Sequence, residues 1–539
     1  MQMGVDSMLR ITQLRLTIDQ PIEALREVIR KKLNCDSDDF TYTIYKESID
    51  ARQRGNDFIF SYTADVEIKD EQRYLKHKNP DIQLCAKNAY QIPARGYLYL
   101  RQRPVIIGFG PAGIFAGLLL AQAGFKPLIL ERGEAVDERI RSVETFWQTG
   151  ILNEASNVQF GEGGAGTFSD GKLTSRSKDL RSHKVLEEFV RFGAPKEILY
   201  QAHPHIGTDL LRGIVKQMRE EIRSLGGEVR FNTAVDEIII SKGAVKAVRC
   251  GDERIDCETV LLACGHSARD TVQMLIDKQV AMEAKAFAVG VRIEHPQALI
   301  NQAQYKQYAN HPRLKAAEYR LAMTTSKGRG VYTFCMCPGG SVVASTSLAE
   351  HVVTNGMSYH ARDGINANSA LLVQVSPEDF GHSLDAGMKF QEQLEKDAFI
   401  AGGSNYQAPI QRVGDFLNHQ PTQKIGIVQP SYPCGVRGID FHTLLPAFIC
   451  DSLAEGICAF DRKLRGFAMD DAIMTGVETR TSAPLRILRD KDSCVSLNTE
   501  GLYPCGEGAG FAGGIVSAAI DGLRCAEKII EKYDPEELK

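Results

Sequence analysis

Residues 104–133 read PVIIGFGPAGIFAGLLLAQAGFKPLILERG, and this stretch decides the fold. Its first apolar residues predict a short buried strand, and IFAGLLLAQAG predicts an apolar helix. Between the two lies the pattern GxGxxG, at Gly108, Gly110 and Gly113. A second strand, PLILE, ends in Glu131, about 20 residues after the glycines. This order of strand, Gly-rich turn, helix, strand and acidic residue predicts a dinucleotide-binding βαβ unit.

The three glycines have separate roles in such a unit. Gly108 allows the tight turn, Gly110 lets the backbone approach a pyrophosphate, and Gly113 permits close packing of the helix on the strand. The helix starts with Pro111 and Ala112, so its positive N-terminus faces the phosphates. The alternative interpretation is a Gly-rich turn that binds no ligand.

GxGxxG occurs twice more, at 161–166 in GEGGAGTFSDGKL and at 508–513 in CGEGAGFAGGI. The pattern at 161–166, the second Gly-rich loop, has no apolar strand before it. This predicts a flexible loop that lies against a flat or anionic group, or else an ordinary surface loop. The pattern at 508–513, the third Gly-rich segment, lies too near residue 539 for another βαβ unit. Its backbone amides lie at the start of an apolar helix. We expect the start of this helix, Gly510 to Gly514, to face the pyrimidine end of a flavin ring, where negative charge develops on reduction.

One adenosine site with two distant Gly-rich loops favours FAD over NAD as the cofactor. A flavin dinucleotide is large and needs contacts from several segments. The carboxylate of Glu131 can accept both hydroxyls of the adenosine ribose, and it disfavours a 2′-phosphate on that ribose.

Composition excludes several other classes of protein. The 539 residues are 43% hydrophobic and 24% charged, which is typical of a globular chain. With 64 basic and 68 acidic residues, the net charge of −4 gives no basic surface for nucleic acid. No run approaches the roughly 18 apolar residues of a membrane span, and the start, MQMGVDSMLRITQ, lacks the features of a secretory signal. Thirteen scattered cysteines without a CxxC indicate the reducing cytoplasm and predict no metal site.

The chain divides into three expected regions. Over residues 8–75 the hydrophobic periodicity predicts the order β-α-β-β, so residues 1–98 form a small N-terminal α+β module. Residues 99–282 and 471–539 are expected to form one discontinuous, Rossmann-like α/β domain for FAD. Residues 283–470, with strand-like FAVGVRIE and GVYTFCMC, are expected to form an inserted mixed α+β substrate domain.

The sequence also resembles a known family. The motifs that carry the resemblance are VIIGFGPAGIFAGLLLAQAG…LILERG, GEGGAGTFSDGKL, HPHIGTD, VLLACGHSARDT, FCMCPGG, TNGMSYHARDG, GVETRTSAPLRI and GLYPCGEGAGFAGGI. Over about residues 104–520 they are similar to a bacterial group of uncharacterised FAD-dependent dehydrogenases. This group lies within the two-dinucleotide-binding, glutathione-reductase-like flavoprotein superfamily, and it also has a small N-terminal α+β extension.

The resemblance implies a set of FAD-binding residues. Ala263-Cys264-Gly265 stands where the superfamily usually has Ala-Thr-Gly. Gly506-Glu507 stands where Gly-Asp usually contacts the cofactor, and Glu507 is one methylene longer than that Asp. The expected FAD-binding residues are Gly108, Gly110, Pro111, Ala112, Gly113, Glu131, Arg132, Gly163, Gly164, Ala165, Gly166, Asp170, Lys172, Val235, Ala263, Cys264, Gly265, Gly506, Glu507, Gly510, Gly513, Gly514 and Ile515.

Candidate catalytic residues are less distinctive. His203 and His205 could bind substrate or move protons, or else have a structural capping or hydrogen-bonding role. Lys172 could stabilise an anionic reduced flavin, or form a simple surface ion pair with Asp170. Tyr359 and His360, in SYHARDG, combine acid–base and anion-binding side chains, again with structural roles as the alternative.

A final candidate is a pair of cysteines. Cys335 and Cys337 in FCMC point to the same face if they lie on a strand. That arrangement suits a redox pair only if the strand is strained, and otherwise it predicts two core cysteines.

The expected function is a FAD-dependent oxidoreductase that moves a hydride or two electrons between a small organic substrate and FAD. Alternatives are a flavin-dependent hydroxylase, or a flavin-binding sensor or RNA-modification component that acts through a partner. NAD(P)H is one possible electron donor. No nucleic-acid or membrane partner is expected.

Overall fold

The computed structural model describes residues 7–35, 39–50, 58–75, 79–86, 89–174 and 179–536. Its contacts divide the chain into two units. The first unit comprises Met1–Gln91, Arg176–Arg191 and Pro195–His205. The second comprises Ile92–Ser175, Phe192–Ala194 and Ile206–Lys539.

The first unit is a small α+β module. Its sheet has the order β2-β3-β1-β4, and α1 packs on β1 through Leu25, Ile29 and Leu33. The predicted order β-α-β-β is confirmed over its first four elements. The fourth strand of the sheet lies after residues 8–75, the range for which this order was predicted. The elements are β1 (Ser7–Thr17), α1 (Leu25–Leu33), β2 (Phe40–Asp50), β3 (Ile59–Ile68), α2 (Glu71–Leu75) and β4 (Ile82–Ala86).

The next part of the chain contains the predicted βαβ unit. Its elements are β5 (Leu98–Tyr99), β6 (Val105–Ile107), α3 (Pro111–Gln122), β7 (Leu128–Leu130), α4 (Val136–Thr149), α5 (Arg181–Arg191), α6 (Thr208–Ser224), β8 (Glu228–Arg230), β9 (Glu237–Ser241), β10 (Ala244–Cys250), β11 (Glu253–Asp256), β12 (Val260–Leu262) and α7 (Arg269–Asp277). Of these, α5 belongs to the first unit.

Strands dominate the middle of the chain. The elements are β13 (Met282–Ala284), β14 (Phe287–Pro296), α8 (Gln297–Tyr305), β15 (Ala322–Thr324), β16 (Gly330–Cys337), β17 (Ser341–Ala344), β18 (Thr354–Met357), β19 (Asn366–Val375), α9 (Pro377–Phe380), α10 (Ala386–Gly402), β20 (Ala408–Arg412), α11 (Val413–Leu417), β21 (Val436–Gly438), α12 (Ala447–Lys463) and β22 (Ile473–Glu478). The chain ends with β23 (Leu485–Ile487), β24 (Leu502–Pro504), α13 (Ile515–Lys532) and β25 (Tyr533–Asp534).

A parallel five-stranded sheet with the order β24-β12-β6-β7-β8 forms the Rossmann-like core. β24 comes from the far end of the chain, yet it pairs with β12, so the domain is discontinuous in sequence. The short strands β6, β7 and β12 are buried throughout, as expected when helices cover both faces of a parallel sheet. Helix α3 is apolar on nearly all sides because it packs against α13 as well as against the sheet.

The inserted part is built around a mixed seven-stranded sheet with the order β15-β16-β19-β14-β22-β20-β21. One face is apolar and packs on helices that include α8, α10 and α12. The last strand in sequence, β22, pairs with β14 and β20, beyond the expected boundary at residue 470. None of the helices in the described ranges combines the length and apolar character that a membrane crossing requires.

Candidate flavin site

Glu131 lies directly after β7 and joins two Gly-rich segments. Its carboxylate accepts a hydrogen bond from Phe109 N at 2.8 Å, and from Gly133 N and Gly161 N at 2.9 Å each. The residue is 5% exposed. A carboxylate has about four acceptor positions, so these three amides leave one for a ribose hydroxyl. The expected contact with adenosine therefore remains a prediction.

The three GxGxxG segments converge at the C-terminal edge of the parallel sheet. A methyl group built on Gly110 would lie 3.6 Å from Gly164 Cα, and one built on Gly166 would lie 3.1 Å from Ile515 Cγ1. The third segment is also close to the first, because a methyl group on Gly506 would lie 2.9 Å from Ala112 Cβ. Residues 164–168 form a 3₁₀ turn, whereas the sequence predicted only a flexible loop.

Open space adjoins this junction. Methyl groups built on Gly265, Gly513 and Gly514 would meet no atom within 4 Å. Nearby, the buried Nε2 atom of His266 has no hydrogen-bond partner in the part of the chain that the structure describes, while its Nδ1 lies 3.5 Å from a carboxylate oxygen of Glu507. Glycine backbone beside open space, a helix N-terminus and an unpaired imidazole nitrogen fit a large cofactor with phosphate and carbonyl acceptors.

Other residues of the predicted FAD-binding set make packing and ion-pair contacts near this edge of the parallel sheet. A methyl group on Gly108 would lie 2.4 Å from Ala263 O, so the two segments can touch only through glycine. Burial raises the pKa of Cys264 to about 11, which keeps its thiol neutral. Arg132 pairs with Asp270 at 2.9 Å and lies over the ring of Phe160. Val235, which also belongs to the predicted FAD-binding set, is buried in the adjoining apolar core.

Sequence analysis missed a buried arginine that holds the second Gly-rich loop. Arg139, on α4, is fully buried and donates to Asn157 O at 2.8 Å, Glu162 O at 2.6 Å and Val158 O at 3.0 Å. Burial lowers its pKa to about 9. The sequence does contain one indication of this burial: Arg139 lies four residues before the apolar Val143, on the same face of the helix. An arginine on an apolar helix face needs buried acceptors, and loop carbonyls supply them here.

A second missed residue anchors the third Gly-rich segment. Asp521, on α13, accepts a hydrogen bond from Gly506 N at 2.8 Å and pairs with Arg489 at 2.6 Å. With Cys505 and Cys525 it forms the one group of possible metal ligands found among the described residues. The guanidinium already neutralises this carboxylate, and burial raises the pKa of Cys505, so the group is arranged as a hydrogen-bonded cluster.

Asp170 and Lys172, at the end of the second Gly-rich loop, bind different partners. Asp170 is fully buried and accepts hydrogen bonds from Ser358 and from Arg362, whose Nε lies 3.0 Å away. Lys172 Nζ lies 3.6 Å from Glu318. The suggested ion pair between Asp170 and Lys172 is therefore wrong: residues of the inserted region supply both partners.

The other catalytic candidates are divided between the two units. His203 and His205 belong to the first unit, with His205 buried and His203 exposed. Tyr359 and His360 belong to the second unit, where Tyr359 is 52% exposed. His360 Nδ1 donates to Ile206 O at 2.9 Å, and its amide donates to Asp209 at 2.8 Å. These bonds fix the orientation of the His360 ring.

Comparison with known proteins supports the cofactor. Residues 286–481 match the family described as FAD-dependent protein, C-terminal domain-like, and residues 8–67 match a domain of unknown function (DUF8436). An uncharacterised protein of Clostridium beijerinckii is 52% identical over 530 residues, covering 98% of this chain and 99% of that protein.

Two solved structures match this chain at low similarity. Glycine oxidase from Bacillus cereus is 12% identical, with a TM-score of 0.30, over 80% of this chain and 98% of that one. The flavin-dependent brominase Bmp2 is 11% identical, with a TM-score of 0.35, over 81% of each chain. Such values carry no argument about the reaction. The similarity to the Clostridium protein, in contrast, extends over almost the whole of both sequences. The chain therefore belongs to one family with the Clostridium beijerinckii protein, its inserted region matches the model of the C-terminal domain of FAD-dependent proteins, and FAD is its cofactor.

Proposed function

We propose that this FAD-dependent protein is an oxidoreductase of the dehydrogenase type, acting on a small organic substrate. Its resemblance to the bacterial FAD-dependent dehydrogenases is part of the same proposal. The observation that carries it is the convergence of three Gly-rich segments beside open space, with Gly110 against Gly164 and Gly166 against Ile515. FAD, when bound, supplies the hydride or electron-pair chemistry.

The residues of the chain would bind and orient the cofactor. The N-terminus of α3 would receive the pyrophosphate, since Gly110 and Pro111 open that helix. Glu131 would accept from the adenosine ribose through its remaining acceptor position. The start of α13, where Gly513 and Gly514 face open space, would place amides at the flavin ring.

The substrate would lie between the flavin and the inserted sheet. Lys172 and Asp170 support this arrangement, because they follow the second Gly-rich loop and pair with residues of the inserted region. Among the catalytic candidates, Lys172 would stabilise negative charge, and Tyr359 and His360 would exchange protons with the substrate. His203 and His205 remain candidates for substrate binding.

The proposal also includes the cellular compartment and the reductant of the protein. We place the chain in the reducing cytoplasm, because all thirteen of its cysteines are free thiols in the structure. NADH or NADPH is the proposed reductant in the cell, and no nucleic acid or membrane partner is proposed.

The proposal is tested with purified protein under anaerobic conditions. We expect a yellow protein that releases FAD on denaturation, and flavin absorbance that bleaches when a suitable substrate or NAD(P)H is added. Repeating turnover with oxygen separates the alternatives, since a hydroxylase would place an oxygen atom in its product. A colourless protein that cannot be reconstituted with FAD would overturn the assignment.

A further inference from the structure

We propose that Cys335 and Cys337 form a reversible dithiol–disulfide pair, a redox site separate from the flavin. Both residues lie at the end of β16, in the FCMC motif. Cys337 Sγ donates to the carbonyl oxygen of Cys335, with 3.3 Å between the two atoms. The proposal does not rest on the proposed function.

The backbone around the pair departs from that of a regular strand. In a regular strand, residues two apart have Cα atoms about 6.6 Å apart, near the upper limit for a disulfide. The pairing of β16 with β19 is irregular between Phe334 and Cys337, which marks a bulge. Cys335 itself has φ +44°, a left-handed conformation that a residue with a side chain adopts only at a cost. The sequence analysis interpreted FCMC as a redox pair only if its strand is strained, and otherwise as two core cysteines. The left-handed conformation of Cys335 meets that condition.

A buried guanidinium lies against the pair. Arg292, on β14, is fully buried, and its Nη2 lies 3.3 Å from Cys337 Sγ and donates to the Cys335 carbonyl. Its Nη1 lies 2.9 Å from Glu478. Burial disfavours the charge of Arg292, but the neighbouring Glu478 and the two cysteines raise its pKa above the usual value. The arginine therefore keeps positive charge beside the two sulfur atoms.

The two thiols have unequal acidity. The hydrogen bond from Cys337 lowers the pKa of Cys335 to about 6, with further lowering by Arg292 and Lys172, against the effects of burial and of Asp170. Burial raises the pKa of Cys337 well above its usual range. Cys335 is also partly exposed, whereas Cys337 is buried. A reachable thiolate beside a protonated thiol is the arrangement of an attacking and a resolving cysteine.

The reaction balances with a low-molecular-weight disulfide as the oxidant. The Cys335 thiolate attacks one sulfur of the reagent, whose S–S bond breaks and releases one thiolate. Cys337 then loses its proton to solvent and attacks Cys335 Sγ, which expels the second thiolate. Two protein thiols are oxidised to one disulfide, and the reagent is reduced to two thiols.

The test uses the full-length protein and mixtures of reduced and oxidised glutathione. After equilibration, the protein is quenched in acid, denatured, alkylated and mapped by peptide mass spectrometry. We expect the peptide that contains Cys335 and Cys337 to escape alkylation as the mixture becomes oxidising, and to recover fully after reduction. If both cysteines stay alkylatable throughout, or if either pairs with another cysteine, the proposal is overturned. This measurement needs no variant.

Variants and a pH profile separate the two roles. Cys337→Ser should accumulate a glutathione adduct at Cys335, Cys335→Ser should accumulate none at Cys337, and Cys458→Ser, at an exposed single cysteine, should oxidise like the wild type. The alkylation rate of Cys335 should change less than about twofold between pH 7 and 8.5, whereas that of an ordinary thiol rises roughly tenfold. A rate that rises as for an ordinary thiol would contradict Cys335 as the attacking cysteine.

Discussion

His295, on β14, is a buried imidazole whose two ring nitrogens differ in their surroundings. Nε2 lies 2.7 Å from Phe467 O, and since a carbonyl only accepts, Nε2 carries the proton. Nδ1 is buried and has no partner among the described residues. Protonating Nδ1 would place an unpaired charge in the core, so burial lowers the pKa of His295 to about 4.

This asymmetry predicts a loss of stability in mild acid. An unfolded histidine binds a proton below about pH 6.5, whereas folded His295 does so only below about pH 4. Stability therefore falls as the pH drops through this interval, by about 2 kcal/mol between pH 7 and 5. His295→Gln keeps the donor to Phe467, and its urea midpoint should fall less over the same range. The exposed His382→Gln is the control, and an unchanged pH dependence in His295→Gln would contradict the prediction.

Glu131 is the residue on which FAD retention should depend most. Glu131→Gln turns one acceptor into a donor that faces backbone amides, and a charge-assisted hydrogen bond contributes about 1.5–3 kcal/mol. We expect FAD affinity to fall roughly 10- to 100-fold, measured by flavin fluorescence during titration of the apoprotein. The exposed Glu154→Gln, in the adjoining loop, should bind FAD like the wild type. Equal affinities would show that this carboxylate is not part of the site.

At the scale of elements, helix α13 begins at the end of the third Gly-rich segment and packs against α3. Gly513→Val and Gly514→Val place a branched side chain in open space, so the fold should survive. The side chain would keep the flavin ring from the helix amides, whose effect is about 0.3–2 kcal/mol. We expect a more negative flavin midpoint potential or lower occupancy. Gly213→Val, where a side chain also meets no neighbour, is the control on α6. Unchanged potential and occupancy in the α13 variants would leave 161–166 as the ring-binding segment.

Local patterns were sufficient to predict most of these elements. The alternation in β3 and the strand–glycine–helix order of residues 104–133 are visible within short windows, because each depends on neighbouring residues. Arg139 and Asp521 were missed because their acceptors and donors lie in other segments of the chain. The Arg292–Glu478 pair spans 186 positions, and no local periodicity indicates such a contact.

At the scale of the whole molecule, a buried ion-pair cluster joins the FAD domain to the inserted region. Glu395, on α10, is fully buried and pairs with Arg480 at 2.8 Å and with Arg269, on α7, at 3.1 Å. Burial alone would raise the pKa of Glu395, but the two arginines lower it to about 2. The carboxylate therefore stays charged at every pH at which the protein would be studied.

Removing this charge should destabilise the molecule strongly. Glu395→Gln leaves two buried guanidinium groups without their carboxylate, a change that costs about 3–5 kcal/mol. Glu392→Gln is the matched control, because Glu392 contacts the same Arg269 at 2.9 Å but is 39% exposed, and exposed pairs contribute about 0–1 kcal/mol. Calorimetry should show a clearly lower melting temperature for Glu395→Gln alone. Equal melting temperatures would contradict the role of the cluster.

The pairing of β24 with β12 also has a consequence for how the chain is made. Residues 260–262 pair with residues 502–504, which the ribosome adds about 240 residues later. At about 5–20 residues per second, the intervening segment takes roughly 10–50 s to synthesise. During that time one side of β12 has no strand beside it, and the helix that covers α3 does not yet exist. The nascent protein therefore exposes an open sheet edge and an apolar helix surface until β24 and α13 have been synthesised, which makes it a natural client for chaperones that shield unfinished chains.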